Sequence, residues 1–312
     1  MLKGLAITPP VIGRISIGRV VERNGKRLPE KDDQFTLTSQ IQNRDGWVLH
    51  PLDEALRKEG GEKSKLRAIP VRVLFNDPSL NLRADYSLFD RTTGRPVCVG
   101  NGDTSRRVGP EGVSVQPCVG PDSCAFASGD CKAYARLNVA IGEADEDALG
   151  SFVLRTTSFN TIRTVAARLQ YFNAVSGGRL ACLPLELKLR GKSTTMSHRT
   201  AIYYVDLVVR AGLSLEQAIG KARELDEVRK GCGFDQEALD EAARQGFANG
   251  AFEDLEEDVS AVVEEFYPEG ASDLGGPSPA NDAPVGLRDR LQNKVARMGA
   301  SNQPEGDKRC LS

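Results

Sequence analysis

Four of the chain's seven cysteines lie within 34 residues, and their thiols could together hold a metal ion. They are Cys98, Cys118, Cys124 and Cys131. The stretch 98–131 is rich in glycine and proline and has too little apolar content to hold its shape by burial. A four-cysteine zinc site would stabilise it, because metal binding to an otherwise unfolded loop is folding free energy. The spacing C-x19-C-x5-C-x6-C is wider than in paired CxxC motifs, so an iron–sulfur cluster and four free thiols stay open as alternatives.

A second candidate site lies in residues 151–210, which carry nine Lys or Arg and two acids. The remaining charge is sorted around this basic block: residues 1–110 sum to +6, 111–150 to −5 and 211–312 to −10, and the whole chain to −2. Charges sorted in this way typically present a basic surface to an anion, of which nucleic acid is the commonest. The alternative is a solvated β-sheet face that carries Lys and Arg for solubility.

The basic block contains a predicted helix that begins after Arg155 and the hydroxyl-rich residues 156–161. An exposed helix N-terminus with hydroxyl and amide side chains suits a phosphate group. The residues predicted to bind nucleic acid or a partner are Arg155, Asn160, Thr161, Arg163, Lys188, Arg190, Lys192 and Arg199. The alternative for the helix start is simple N-capping by Ser158.

The elements that must position these residues follow from hydrophobic periodicity. The first half of the chain alternates as short strands with turn signals such as Asn24-Gly25. The apolar residues of the helix recur at three- and four-residue steps, and Gly177-Gly178 ends it. Two alternating strands follow, 183–190 and 201–209. The predicted fold class is therefore α+β, with a mixed or antiparallel sheet, a Cys-rich zinc-binding loop, C-terminal helices and a disordered tail.

The domain layout follows from the composition. Residues 1–212 are predicted to form an α+β core with the four-cysteine loop at 98–131, and 213–267 an acidic helical extension that limits indiscriminate adhesion to nucleic acid. Residues 268–312 have the composition of a flexible tail with a short basic amphipathic segment at 286–299. The 312-residue chain shows no membrane-length apolar run and no signal peptide, so we expect a cytoplasmic protein with reduced thiols and no membrane partner.

Enzymatic alternatives are few. Glu186-Leu-Lys188 has the E-x-K pattern by which many nucleases hold a metal ion, and Asp145 or Asp147 would have to supply a further carboxylate. Neither of the two histidines has a nucleophile-bearing context, and no phosphate-binding P-loop motif is present. A metal-dependent nuclease that uses Glu186 and Lys188 is therefore the enzymatic alternative.

Three stretches carry a family resemblance: SFVLRTTSFNTIRTVAARL followed by SGGRLACLPLELKLR, PCVGPDSCAFASGDCKAYARLNV, and DDQFTLTS. They resemble the recombination directionality factor family of phage serine-integrase systems over residues 1–210. The resemblance implies a non-enzymatic DNA-metabolism protein of a phage or integrated element, which binds a serine integrase on DNA and steers it to excision. It also implies a metal in the cysteine-rich loop. A single-strand DNA binding or annealing protein stays open as the alternative function, and so does homo-oligomerisation.

Overall fold

The computed structural model describes residues 10–248, except 24–25, 44–45, 60–64, 92, 143–149 and 194–200. The strands are β1 Val11–Arg23, β2 Lys26–Asn43, β3 Gly46–Leu49, β4 Ala68–Val73, β5 Leu82–Phe89, β6 Pro96–Gly100, β7 Thr104–Gly109, β8 Gly112–Pro117, β9 Lys132–Ile141, β10 Ser151–Thr156, β11 Leu185–Lys192 and β12 Ile202–Val209. The helices are α1 Pro51–Glu59, α2 Pro78–Asn81, α3 Phe159–Ser176, α4 Leu215–Gly231 and α5 Gln236–Ala248.

These strands form one mixed sheet. Its main path runs β3-β2-β1-β10-β9-β5-β6-β7-β8, and β4 joins β9 to the β11–β12 hairpin. The β1–β10 pair is parallel, and the other pairs are antiparallel in the part that the structure describes. The α+β class and the mixed sheet are confirmed.

Strand β9 is the centre of this sheet. One edge of β9 pairs with β10. The other edge pairs with β5 along the first half of β9 and with β4 along its second half. Side chains alternate along β9, so Leu137, Val139 and Ile141 enter the main core while Arg136 and Asn138 lie on the opposite face. We call these two sides the core face and the outer face of the sheet.

The core face is covered by helices whose apolar stripes the sequence predicts. In α3, Val165, Leu169 and Phe172 are buried in the main cluster, where α1 and α4 also contribute side chains. Ser158 caps α3, and Gly177 ends it in the left-handed conformation, with φ 65°. Glycine adopts this conformation without the clash that a Cβ causes, which explains the stop.

The region 98–131 differs from the predicted loop. Strands β6, β7 and β8 form an antiparallel meander within it, and a single 3₁₀ turn follows at Pro121–Ser123. The hairpin formed by β7 and β8 is mostly exposed, with Val108, Val113 and Val115 at the surface. Sequence periodicity is weak here because neither face of the hairpin is buried in a core, so the alternation of apolar and polar residues that marks a half-buried strand is missing.

The acidic extension is described as far as Ala248. Helices α4 and α5 lie where the sequence predicts helices, and none of the described helices is long and apolar enough to cross a membrane. The rest of 213–267, the tail 268–312 and its basic segment 286–299 lie outside the described residues.

Helix α5 is attached to the sheet by one buried carboxylate. Asp240 is 6% exposed, and its Oδ2 accepts hydrogen bonds of 3.0 Å from the backbone N–H groups of both Asn76 and Asp77. The side chain of Gln236 donates to the Oδ1 of Asp240 and to the carbonyl of Leu74. Phe75, Leu80 and Ala243 form a small apolar cluster beside it.

We predict that Asp240→Ala destabilises the protein by about 2–3 kcal/mol, because two backbone N–H groups lose a charged acceptor. Urea unfolding monitored by circular dichroism measures this loss. Glu237→Ala, at an exposed position of the same helix, is the control and should change stability by less than about 0.5 kcal/mol. Equal stability of the two variants would show that the Asp240 contacts do not anchor α5.

Candidate nucleic-acid interface and cysteine cluster

The N-terminus of α3 is bound to the sheet rather than open to a ligand. Thr161 is 1% exposed, its N–H donates to the Ser158 Oγ at 3.4 Å, and its Oγ1 accepts from the backbone N–H of Val205 at 3.1 Å. The prediction that Thr161 lies in an exposed phosphate site is therefore wrong, and Ser158 acts as a helix cap. A threonine hydroxyl can satisfy a backbone group of a neighbouring strand, and the local sequence does not reveal this.

Arg155 also differs from its prediction. It is 8% exposed, lies on the outer face of β10, and pairs in register with Arg136 of β9. Strand alternation places it away from α3, because Leu154 and Thr156 are its neighbours on the core side. Arg155 is thus part of the sheet and not of the surface around α3.

Four other cations lie where α3 meets the β11–β12 hairpin, and a fifth, the exposed Arg163, lies on α3 about one turn after Asn160. We call these five residues the cationic ridge: Arg163, Arg168, Lys188, Arg190 and Lys192. The side chains of Arg168 and Arg190 are 44% exposed and that of Lys188 is 47% exposed, so this surface faces solvent. Arg199 of the loop between β11 and β12 lies outside the described residues.

One buried carboxylate joins the two elements of the ridge. Asp206 of β12 is 2% exposed and accepts from the Nε of Arg168 at 3.0 Å and from the Nε of Arg190 at 2.6 Å. Arg168 was not among the residues that the sequence singled out. The sequence does not show that Arg168 faces Asp206, because this contact forms only when α3 packs against β12.

A second contact orders the other end of the ridge. The Lys192 ammonium group donates to the Asn160 Oδ1 at 2.7 Å and lies 5.9 Å from the centre of the Tyr204 ring. Asn160 is thus a positioning residue for Lys192, one turn before the exposed Arg163. The ridge therefore combines pre-positioned cations with an aromatic ring, which is a suitable surface for a phosphate backbone.

The two acids of the basic block are both engaged in the fold. Asp206 joins Arg168 and Arg190, and Glu186 accepts from the backbone N–H of Ala211 at 2.9 Å while lying 3.7 Å from Lys188. Five cations against these two acids leave the ridge with a positive charge. Because the guanidinium and ammonium groups are nearly half exposed, their ion pairs add little stability and leave donors for an anion.

The geometry of Glu186 does not favour the nuclease alternative. Its side chain is 6% exposed, and Ala211 occupies the Oε2. In the part of the chain that the structure describes, no group of three or more His, Cys, Asp or Glu side chains could hold a metal ion. Asp145 and Asp147, which that mechanism would need, lie outside the described residues.

The four cysteines come together at the junction of the meander and β9. Cys98 lies on β6, Cys118 follows β8, Cys124 follows the 3₁₀ turn and Cys131 directly precedes β9. The Cys118 Sγ lies so close to Gly100 that an added Cβ there would be 2.9 Å from the sulfur. Gly100 and Cys98 share one side of β6, so the sulfur of Cys118 reaches the same side as Cys98.

Electrostatics place the remaining two thiols in the same region. Burial, together with the charges of Cys98, Cys118 and Cys124, raises the pKa of the Cys131 thiol to about 11. Cys124 in turn lies 4.0 Å from Arg107, the cross-strand partner of Cys98. The four cysteines therefore lie in one region of the fold, and repulsion among their thiolates is an effect that a bound cation would remove.

The fit of the four cysteines to a metal is one of donor type. Four thiols suit zinc or an iron–sulfur cluster, and all four are partly buried. The sulfurs are not, however, within ligand contact of one common point, as stated above for the described residues. The metal thus stays a prediction.

A polar cleft of about 440 Å³ lies at the C-terminal end of α3, between α4 and α5. Arg179 and Lys230 both bind Asp226 there, at 2.9 Å and 2.8 Å. Arg229 contacts Cys182, whose pKa is raised by burial. Because the internal carboxylate of Asp226 holds Arg179 and Lys230, we interpret this cleft as a result of helix packing and not as a ligand site.

The described residues thus form an α+β fold with a basic surface and a cysteine-rich meander. The model of the Gp3-like family, described as recombination directionality factor-like, matches residues 12–210. The match covers more than half of the chain, and the protein belongs to this family. No curated protein and no solved structure matches the chain.

Thr161→Val provides a test of the structural role of that side chain. We predict a loss of about 1–2 kcal/mol in unfolding free energy, because the buried N–H of Val205 loses its acceptor. The measurement is urea unfolding, with Thr164→Val in the same helix as the control. A variant of unchanged stability would contradict the contact between α3 and β12.

Proposed function

We propose that this protein is a non-enzymatic recombination accessory factor that uses the cationic ridge to bind DNA, a DNA-bound serine integrase, or both, and so steers excision. Membership in the recombination directionality factor-like family supports the recombination role. The observation that carries the binding proposal is the ridge itself, in which Asp206 and Asn160 position solvent-facing cations on two adjoining elements.

The chemistry of the ridge favours an anionic partner. A phosphate backbone offers repeated negative charges, and each neutralised phosphate releases counterions, so affinity falls steeply with salt. Acidic side chains on an integrase surface would meet the same cations with weaker salt dependence.

We propose further that Cys98, Cys118, Cys124 and Cys131 hold one zinc ion. The ion would supply folding free energy to the meander and no chemistry on a substrate. The exposed β7–β8 hairpin buries few apolar side chains, so a cation between the meander and β9 would stabilise the region that the core does not.

For the ridge, we predict that replacing Arg163, Lys188 and Lys192 together with alanine weakens duplex DNA binding and lowers the slope of log affinity against log salt by roughly 2–3, which corresponds to three lost phosphate contacts. Fluorescence anisotropy with a labelled duplex measures both effects. Arg190 is left in place because it holds Asp206. The matched control replaces three exposed cations away from the ridge: Arg106, Lys221 and Arg223.

Three outcomes separate the partners. Equal binding by the ridge variant and the control would place the contact elsewhere. Loss of integrase binding with unchanged DNA binding would assign the ridge to the protein partner. Tight binding of single strands without any integrase, together with oligomerisation, would favour the annealing alternative.

For the cysteines, we predict about one zinc ion per chain after purification in reducing buffer. Elemental analysis measures the content, and Cys131→Ser should lose the metal, whereas Cys232→Ser at an exposed site should keep it. Iron with a visible absorption band would indicate a cluster instead. Metal content near zero in the unaltered protein would contradict the proposal.

A further inference from the structure

Strand β8 forms one end of the sheet and presents an apolar surface to solvent. It pairs with β7, and no strand in the described part of the chain pairs with its other side. On β8, Val113 is 55% and Val115 is 73% exposed, and Val108, which lies opposite Val113 on β7, is 43% exposed. Because side chains alternate along a strand, these three valines lie on the same face of the hairpin.

The register of the hairpin shows which backbone groups of β8 face its free edge. Gly109 pairs with Gly112 across a two-residue loop, so these two residues exchange hydrogen bonds, and the bonded pairs recur at every second residue. The bond of 2.9 Å from the Cys118 N–H to the Asp103 carbonyl continues this alternation. The even-numbered residues of β8 therefore bond to β7, and the N–H and C=O groups of both β8 valines point to the free edge.

A row of outward-pointing N–H and C=O groups is the surface to which another extended strand binds. Natural edge strands are commonly protected from this by charged side chains, proline or a bulge. Residues 112–116, with the sequence GVSVQ, carry no charge and no proline, and the pairing of β7 with β8 shows no bulge. The strand that suits this edge is itself uncharged and has β-branched side chains on one face, as β8 does.

The sequence Val113-Ser114-Val115 reads the same in both directions, so β8 is complementary to a second copy of itself. In an antiparallel pair centred on Ser114, Val113 of each copy lies opposite Val115 of the other. The outward N–H and C=O groups of these valines then form about four backbone hydrogen bonds. The exposed valines of the two hairpins also join into one apolar stripe, in which β-branched side chains pack across the strands.

The charges near this edge do not oppose such a pair. Arg106 is exposed and lies opposite Val115 on β7. In the pair centred on Ser114, three strand spacings, about 14 Å, separate the two copies of Arg106. This distance exceeds the Debye length of about 8 Å at physiological salt, so their repulsion is largely screened. Arg107 lies on the opposite face of the hairpin, where its guanidinium group is 4.0 Å from the centre of the Phe126 ring.

We propose that β8 pairs with β8 of a second copy of this chain, centred on Ser114, and that one sheet then continues through both copies. Such a contact is isologous and closes after two copies. One strand pair buries less than the about 1,000 Å² that marks a stable interface, so the dimer is weak, with a Kd on the order of 10–100 µM. The contact uses none of the residues of the cationic ridge and goes beyond the proposed function.

Sedimentation equilibrium of the full-length protein, from about 5 to 500 µM around the expected Kd, tests this pairing. We expect the average mass to rise from that of one chain toward that of two. Val113→Lys with Val115→Lys places like charges opposite each other and should raise Kd about tenfold or more. Val113→Glu with Val115→Lys places opposite charges there and should keep Kd within about threefold. The matched control is Val228→Lys, at a valine of α4 that is 62% exposed.

Each result decides for or against the pairing. A monomer at the highest concentration, or an unchanged Kd in the variant with two lysines, overturns it. Equal loss of the dimer in both charged variants, with Val228→Lys still dimeric, overturns the register centred on Ser114. If circular dichroism shows that a variant is unfolded, hydrogen exchange of the unaltered protein decides: the peptide that contains β8 should exchange more slowly at high concentration, and equal rates refute the contact. Ridge variants leave the mass unchanged, so failure of the proposed function is recognised separately.

Discussion

The structure depends on the pairing of β9 with strands on both of its edges. This one strand connects the parallel β1–β10 pair, the cysteine-containing meander through β5, and the β11–β12 hairpin through β4. Its alternation then divides the sheet: Leu137 and Val139 enter the core, and Arg136 lies on the outer face. A register shift of one residue would exchange these faces and bury the cations in the core, so the hydrophobic pattern holds the register in place.

The two basic surfaces differ in how their charge is managed. On the ridge, a buried Asp206 orients Arg168 and Arg190 while their heads stay nearly half exposed. On the outer face of the sheet, Arg14 and Arg155 are buried, and the rings of Trp47 and Phe247 pack on Arg14 and Arg83. An exposed cation can exchange water for a phosphate at low cost, whereas a covered one must first lose its internal partner. The ridge is for this reason the better candidate for a reversible interaction.

The cysteine meander is the part of the fold that the core supports least. Its hairpin exposes Val113 and Val115, so its order rests on strand pairing with β5 and on the environment of the four sulfurs. The close approach of the Cys118 sulfur to Gly100 places it on the same side of β6 as Cys98.

The sequence by itself determined the family, the α+β class, the limits of α3 and the grouping of the cysteines, because these depend on local patterns: apolar periodicity, a Ser158 cap, a glycine stop and residue spacing. The β7–β8 hairpin escaped detection because its faces are exposed. Tertiary structure decided which polar residues are available. Thr161 turned inward to accept from the backbone of β12, Arg155 was buried on the outer face of the sheet, and Arg168 joined the ridge through Asp206. The physical reason is that strand register and helix placement are non-local, so a sequence shows that a side chain is charged but not what the folded chain places against it.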